Sequence, residues 1–143
     1  MHGNTEHPYE LLPKYPHLKP ADKIIWERFI LAFPKQYDFV EYDVPVGSPP
    51  PFSTVVNPET GGDDLKLYKR KIDVVGYKGK QIDIIELKPH ADTSALGQAK
   101  GYRTLYVRDY KPSAEVRAVV ITDLIQRDMD ELAEAEGVIL VAV

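Results

Sequence analysis

Two acidic residues and a lysine stand at spacings that could build a hydrolytic site around a metal ion. Residues 82–88 read Ile-Asp-Ile-Ile-Glu-Leu-Lys, and so apolar a segment predicts a buried strand that ends in charged side chains. Because side chains alternate across a strand, Glu86 and Lys88 should lie on the same face. Buried charges are costly unless they are paired or bound to a metal. We therefore expect these two side chains to face a partner or a cation.

Asp73 belongs to the preceding strand of the same predicted hairpin. If Lys78 and Gly79 are the two central residues of the turn, Asp73 opposes Ile84. Asp73 is then a diagonal neighbour of Glu86, at roughly 7–8 Å between backbones, and the two carboxylates could share one divalent ion. A shift of one residue in the turn would move Asp73 to the other face and separate the pair.

The chemistry of these side chains indicates a particular class of cation and reaction. Carboxylate oxygens at the end of a strand suit Mg²⁺ or Mn²⁺. Such an ion lowers the pKa of a bound water and offsets negative charge on a phosphate. Lys88 could orient that water or stabilise the charge that develops on the phosphate. The residues predict a phosphodiesterase site, with a structural ion-pair cluster at the end of a sheet as the alternative.

The elements that must position these residues predict an α/β domain in the order α-β-β-β-α-β-α-β. Strand–helix–strand units at the C-terminal end imply parallel pairing by a right-handed crossover, beside the antiparallel hairpin. The prediction is a mixed central sheet with helices on both faces. The predicted helices are 21–33, 95–107 and 125–136, and the predicted strands are 39–46, 65–77, 81–88, 116–122 and 138–143.

Two proline-rich stretches lie outside these elements. Residues 1–19 should form a loosely docked N-terminal arm, and residues 20–143 a single domain. Residues 47–64 should form a long loop, which in a compact domain is usually functional or mobile.

The spacing of the charged residues resembles a known nuclease motif. Asp73, twelve intervening residues and then Glu86-Leu87-Lys88 resemble the PD-(D/E)xK superfamily, the restriction-endonuclease-like fold, over about residues 20–143. The resemblance implies a metal-dependent deoxyribonuclease in which Asp73, Glu86 and the carbonyl of Leu87 hold Mg²⁺. Lys88 would position the attacking water. The chain departs from the motif at Ile72, which stands where the family name has a proline.

A second motif lies on the next predicted helix. Gln98 and Tyr102 resemble the Q-x-x-x-Y motif of the RecB-like exonuclease branch, and at i,i+4 they share one helix face. Both side chains could therefore point at the same site. The alternative is an ordinary helix face, with Tyr102 packed beside Leu105 and Tyr106.

Many members of this superfamily supply a further acid from the first helix. The resemblance therefore implies a metal-site role for Glu27, on a helix whose other faces are too apolar to be solvated. Glu41 on the first predicted strand is the rival, because alternation along that strand can turn it inward. The bland alternative for Glu27 is a surface ion pair with Lys23.

Composition excludes several other classes of protein. The 143 residues are 43% hydrophobic and 28% charged, the balance of a globular protein. No apolar run approaches the roughly 20 residues that cross a bilayer, and the first six residues lack the pattern of a signal peptide. With no cysteine, the chain has neither disulfides nor a thiol nucleophile. We expect a cytoplasmic protein.

The distribution of charge indicates where DNA would bind. Residues 65–111 hold 11 basic and 5 acidic side chains, although the whole chain carries a net charge of −4. A basic middle between acidic flanks is typical of a local phosphate-binding surface, with a solvated lysine-rich hairpin as the alternative. Lys100, Arg103 and Arg108 are weak candidates for phosphate contacts.

Several functional questions stay open at the level of sequence. Endonuclease and exonuclease activity are both compatible with these motifs, and a homodimer is expected from the family's habits alone. A non-catalytic module that binds nucleic acid or protein on the same fold is the alternative to an enzyme.

Overall fold

The computed structural model describes residues 6–48 and 70–143. The predicted loop from 49 onward and residues 65–69 of the predicted strand lie outside this range. The elements, in chain order, are β1 (Glu6–His7), α1 (Pro20–Ala32), β2 (Phe39–Val46), β3 (Arg70–Lys78), β4 (Gln81–Leu87), α2 (Thr93–Tyr110), β5 (Glu115–Thr122), α3 (Met129–Glu136) and β6 (Val138–Ala142).

A mixed six-stranded sheet in the order β1-β2-β3-β4-β5-β6 forms the centre of the described chain. Strands β1 to β4 pair antiparallel, and β4, β5 and β6 pair parallel. Helices α2 and α3 make the two crossovers between the parallel strands. The α/β class and the mixed sheet predicted from the sequence are confirmed.

The helices cover opposite faces of this sheet. On one face, which we call the α1 face, Trp26 and Phe29 pack in one core with strand residues such as Ile85. On the other, the α2 face, α2 packs over β3 and β4 and, with α3, over β5 and β6. Within the described residues, no helix has both the length and the apolar character needed to cross a membrane.

The N-terminal arm is part of the core on the α1 face. Tyr15 is 4% exposed, and the hydroxyl of Tyr9 donates a hydrogen bond to the carbonyl of Phe33 at 2.6 Å. Strand β1, which the sequence analysis did not predict, pairs with β2. The arm is therefore more closely packed than expected, because its aromatic side chains fill space beside α1.

The ends of the helices follow local signals. Pro20 occupies the first turn of α1, Asp92 caps α2 by accepting a bond from the amide of Ser94 at 3.1 Å, and Gly137 ends α3 with φ +70°. The prediction that α3 begins at residue 125 was wrong. Asp128 adopts φ +66° immediately before the helix, and a left-handed residue cannot continue a right-handed helix.

Strands β2 and β3 bend where the candidate site begins. Asp43 adopts φ +56°, and the pairing between the two strands is interrupted at Asp43 and Asp73. Tyr42 therefore packs on the α1 face, whereas Val44, two residues later, packs on the α2 face. This bend breaks the alternation of a regular strand and frees Asp73 from the ladder.

Candidate active site

The register of the β3–β4 hairpin places Asp73 directly across from Glu86. The turn consists of Gly79 and Lys80, so Lys78 pairs with Gln81. This differs by two residues from the predicted register, in which Asp73 opposed Ile84. A shift of two keeps every side chain on its predicted face, and it brings the two carboxylates closer than the diagonal arrangement would.

Asp73 binds the backbone at the end of β4. Lys88 donates its amide to the carbonyl of Ile121 in β5 at 3.0 Å, so the amide of Leu87 points the opposite way, towards β3. Pairing with β3 has ended at this point, and the Leu87 amide donates to Oδ2 of Asp73 at 2.9 Å instead. The carbonyl of a strand residue points to the same side as its amide, so the Leu87 carbonyl also faces the Asp73 side.

Burial changes the acidity of both carboxyl groups. Glu86 is 8% exposed, and burial followed by the charge of Asp73 raises the pKa of Glu86 to about 8. Burial also raises the pKa of Asp73 to about 6, against the lowering effect of the Leu87 amide. Within the described residues, Oε2 of Glu86 is buried without a hydrogen-bond partner. Such a pair at neutral pH binds a proton or a cation.

Two further charged side chains lie beside this pair. Lys88 is exposed, and its ammonium group lowers the pKa values of Glu86 and Asp22. The carboxylate of Asp22, in the first turn of α1, raises the pKa values of both Asp73 and Glu86. Asp22 is therefore an acid of α1 whose charge acts on the pair.

The two acids proposed for this role from the sequence have other partners. Glu27 accepts a hydrogen bond from the hydroxyl of Tyr15 at 2.8 Å, and its role at the metal site stays a prediction. Glu41 does point inward and is fully buried, but its carboxylate accepts a hydrogen bond from Tyr77. The sequence held a signal for Asp22, since Ile25 and Phe29 lie three and seven residues later on the buried face of α1.

The two residues of the helical motif contact each other. The amide of Gln98 donates to the hydroxyl of Tyr102 at 3.0 Å. Tyr102 is buried in the same core cluster as Ile84 of β4, and Glu86 continues that face of β4 by alternation. The contacts of Tyr102 also agree with the alternative prediction, an ordinary helix face, since Tyr106 belongs to the same cluster.

The donor set fits a divalent cation that keeps much of its water. In residues 6–48 and 70–143, no three histidine, aspartate or glutamate side chains lie close enough together to hold a metal ion. Mg²⁺, however, is commonly bound by one or two carboxylates and completes its shell with water and substrate oxygens. Asp73, Glu86 and the Leu87 carbonyl are such a set. A cation there would bind Oε2 of Glu86, which has no hydrogen-bond partner among the described residues.

Five of the eleven basic side chains proposed to form a DNA surface have partners within the described part of the chain. Side chains held in this way reach a phosphate only by breaking the internal contact. The contacts are Lys71 with Asp43 at 3.4 Å, Lys78 with Asp38 at 3.3 Å, Lys100 with Glu136, Arg103 with the carbonyl of Val116 at 2.6 Å and Arg108 with Asp109 at 2.8 Å. The weak candidates Lys100, Arg103 and Arg108 are all among them.

Comparisons with known proteins add no assignment to this geometry. No family model, no curated protein and no solved structure matches the chain.

Proposed function

We propose that the chain is a metal-dependent nuclease that hydrolyses DNA phosphodiester bonds, built on the restriction-endonuclease-like core that its motif resembles. The observation that carries the proposal is the pair of buried carboxyl groups of Asp73 and Glu86 at the end of two strands, with Lys88 beside them. Buried acids that repel each other weaken a fold unless they bind something. A site for Mg²⁺ or Mn²⁺ gives this arrangement a use.

Each residue has a role in the proposed reaction. Asp73, Glu86 and the carbonyl of Leu87 would hold the cation, which when bound supplies positive charge at the phosphate and an acidified water. The ammonium group of Lys88 orients the attacking water and stabilises the negative charge on the phosphate oxygens. The carboxylate of Asp22 interacts electrostatically with that ammonium group from the side of α1.

The overall step is an ordinary hydrolysis. The oxygen of the water bonds to phosphorus while the bond from phosphorus to one deoxyribose oxygen breaks. One proton of the water leaves with the deoxyribose oxygen, so the products are a phosphate monoester and a hydroxyl group. In this proposal, Gln98 and Tyr102 line the side of the site that faces the DNA.

A non-catalytic binding module on the same fold is the second candidate. The observation that favours it is that, among the described residues, no third acid lies close enough to complete a metal-binding group. The internal partners of several basic side chains argue against it, because affinity for DNA comes largely from contacts of basic side chains with phosphates.

One experiment separates the two candidates. The chain is incubated with plasmid, linear duplex and single-stranded DNA in the presence of Mg²⁺, Mn²⁺ or EDTA. We expect cleavage with either metal and none with EDTA. The matched control is Glu86→Gln, which removes a buried charge without changing shape, so it should remain folded and be inactive. Absence of metal-dependent cleavage of every substrate would exclude the enzyme, and equal cleavage by Glu86→Gln would exclude Glu86 from the active site.

A further inference from the structure

The turn between β4 and α2, residues 88–92, has an unusual backbone. It runs from Lys88 to Asp92, the N-cap of α2. Pro89 has no amide to donate, and His90 adopts φ +47°, a conformation that residues other than glycine rarely adopt. Such a backbone persists where surrounding contacts hold it in place.

Those contacts come from the end of β5 and the segment after it. The amide of His90 donates to Oδ1 of Asp123 at 2.7 Å, and the amide of Ala91 donates to Oγ1 of Thr122 at 3.0 Å. The side-chain amide of Gln126 donates to the carbonyl of His90 at 2.9 Å. Thr122 is fully buried and Ala91 is 1% exposed, so this side of the turn is built into the core.

The turn fixes two parts of the candidate site at once. Lys88 lies at its first position, and its backbone is already bound to β5 through the carbonyl of Ile121. Helix α2, which carries Gln98 and Tyr102, begins at its last position. Since the backbone of Lys88 is fixed at β5, movement of residues 89–92 would displace the start of the helix and change the space that holds the Lys88 side chain beside Glu86.

We propose that Asp123 is a positioning residue, which holds the 88–92 turn so that Lys88 stays beside the Asp73–Glu86 pair. The inference rests on the proposed nuclease function, because it assigns Asp123 to that reaction. Asp123 acts through His90, whose amide it binds and whose imidazole Nδ1 lies 3.6 Å from its Oδ1; in this proposal it does not itself contact the substrate.

The first test compares substitutions of Asp123 in the full chain with Mg²⁺ and linear duplex DNA. Asp123→Asn keeps an oxygen acceptor for the His90 amide and should cleave within about threefold of the parental kcat, whereas Asp123→Ala should lose at least about tenfold in kcat with little change in KM. Glu134→Ala, which removes an exposed carboxylate of α3, is the matched charge control and should behave as the parent. Parental kcat in Asp123→Ala, or equal losses in Asp123→Asn and Asp123→Ala, would overturn the proposal.

A double variant separates positioning from plain stability. Asp123→Ala should also lower the melting temperature, because the left-handed His90 loses a partner. Adding His90→Gly should restore the melting temperature, since glycine adopts positive φ without strain, but kcat should stay low because the turn is then freer. If kcat returns together with stability, Asp123 contributes stability alone and the positioning role is overturned.

NMR and amide exchange of the chain without DNA test the positioning role of Asp123 separately from the proposed nuclease activity. The NMR signal of the Lys88 ε-methylene group reports on its surroundings and should shift in Asp123→Ala and not in Glu134→Ala. The amides of His90 and Ala91 should also exchange at least about tenfold faster in Asp123→Ala, as expected when a local opening becomes easier. If the parental chain cleaves no DNA, the nuclease proposal fails by itself. An unchanged Lys88 signal would then overturn the positioning role as well.

Discussion

The ammonium group of Lys88 acts on three carboxylates, since it lowers the pKa values of Glu86, Asp22 and Asp92. A compact charge in such a position stabilises a transition state more than it strengthens binding of the substrate. We predict that Lys88→Ala reduces kcat at least about 100-fold while the affinity for DNA in Ca²⁺ stays within about twofold. Lys80→Ala, in the exposed hairpin turn, is the control and should keep the parental kcat. Cleavage by Lys88→Ala at the parental rate would show that the site is misplaced.

Which acid of α1 acts on the site is testable with a matched pair of substitutions, although neither lies close enough to complete a metal-binding group with Asp73 and Glu86. Asp22→Asn should lower cleavage at least about tenfold, or about 1.4 kcal/mol of barrier, or raise the Mg²⁺ concentration needed for half-maximal rate. Glu27→Gln keeps an acceptor for Tyr15, so cleavage should be unchanged and stability should change by less than about 0.5 kcal/mol. Rates measured across a Mg²⁺ titration check both. An inactive Glu27→Gln beside an active Asp22→Asn would return the role to Glu27.

Among the elements, the β3–β4 hairpin matters most for the candidate site, because its register decides whether the carboxyl groups of Asp73 and Glu86 lie close together. Gly76 of β3 lies under the ring of Tyr37, and a Cβ atom there would come within 2.6 Å of ring carbons. Tyr37 cannot move away freely, since its hydroxyl donates to Asp83 at 2.7 Å, and Asp83 is paired with Arg117. Close packing at this position therefore helps to hold β3 in place.

We predict that Gly76→Ala lowers the free energy of unfolding by about 1–3 kcal/mol. Gly97→Ala is the control, because a Cβ atom at Gly97 meets nothing within 4 Å and alanine is favoured over glycine inside a helix by about 0.5–1 kcal/mol. In urea unfolding, the transition midpoint should therefore fall in Gly76→Ala and rise in Gly97→Ala. A Gly76→Ala variant as stable as the parent would contradict the close contact with Tyr37.

For the molecule as a whole, the buried pair couples stability to pH. The pKa values of Asp73 and Glu86, about 6 and about 8 in the folded chain, lie above their ordinary values. The folded chain therefore binds more protons than the unfolded chain across this range, and stability falls as pH rises through the two pKa values. Without metal, the melting temperature should be lower at pH 8 than at pH 5. This difference should be smaller in Glu86→Gln, which lacks one of the two titrating groups. Mg²⁺ should stabilise the chain more at pH 8, because it competes with the proton.

Two outcomes would contradict the role of the buried pair in stability. A Glu86→Gln variant with the same pH dependence as the parent would show that other groups are responsible. Equal stabilisation of both proteins by Mg²⁺ at pH 8 would show that the cation binds elsewhere.

Binding of DNA by the whole molecule should depend on salt less steeply than the basic middle of the sequence suggests. Eleven phosphate contacts would give a slope of about −10 for the logarithm of affinity against the logarithm of salt concentration. Many of these basic side chains are held within the chain, as Lys100 is by Glu136. Since five of the eleven are held in this way, we expect a slope of about −5, measured by fluorescence anisotropy between about 50 and 200 mM salt. A slope near −10 would mean that the internal contacts break when DNA binds.

The sequence by itself determined the features that depend on near neighbours along the chain. Periodicity placed the helices and strands, Pro20 and Gly137 marked helix ends, and the alternation of a strand put Glu86 and Lys88 on one face. These features are local, because the allowed backbone angles and the repeat of a helix or strand act over a few residues. The nuclease assignment itself stays a prediction.

The tertiary structure decided what depends on contacts between distant segments. The hairpin turns at Gly79 and Lys80 rather than one position earlier, which still left Asp73 on its predicted face. The charge of Asp22 acts on the pair, whereas Glu27 binds Tyr15, because the packing of α1 on the sheet sets which turn of the helix lies nearer to the end of β4. The internal partners of the basic residues were equally hidden, since charge counted along a sequence contains no information on which acids lie nearby in space. Packing of one segment against another sets these distances, and no local pattern records it.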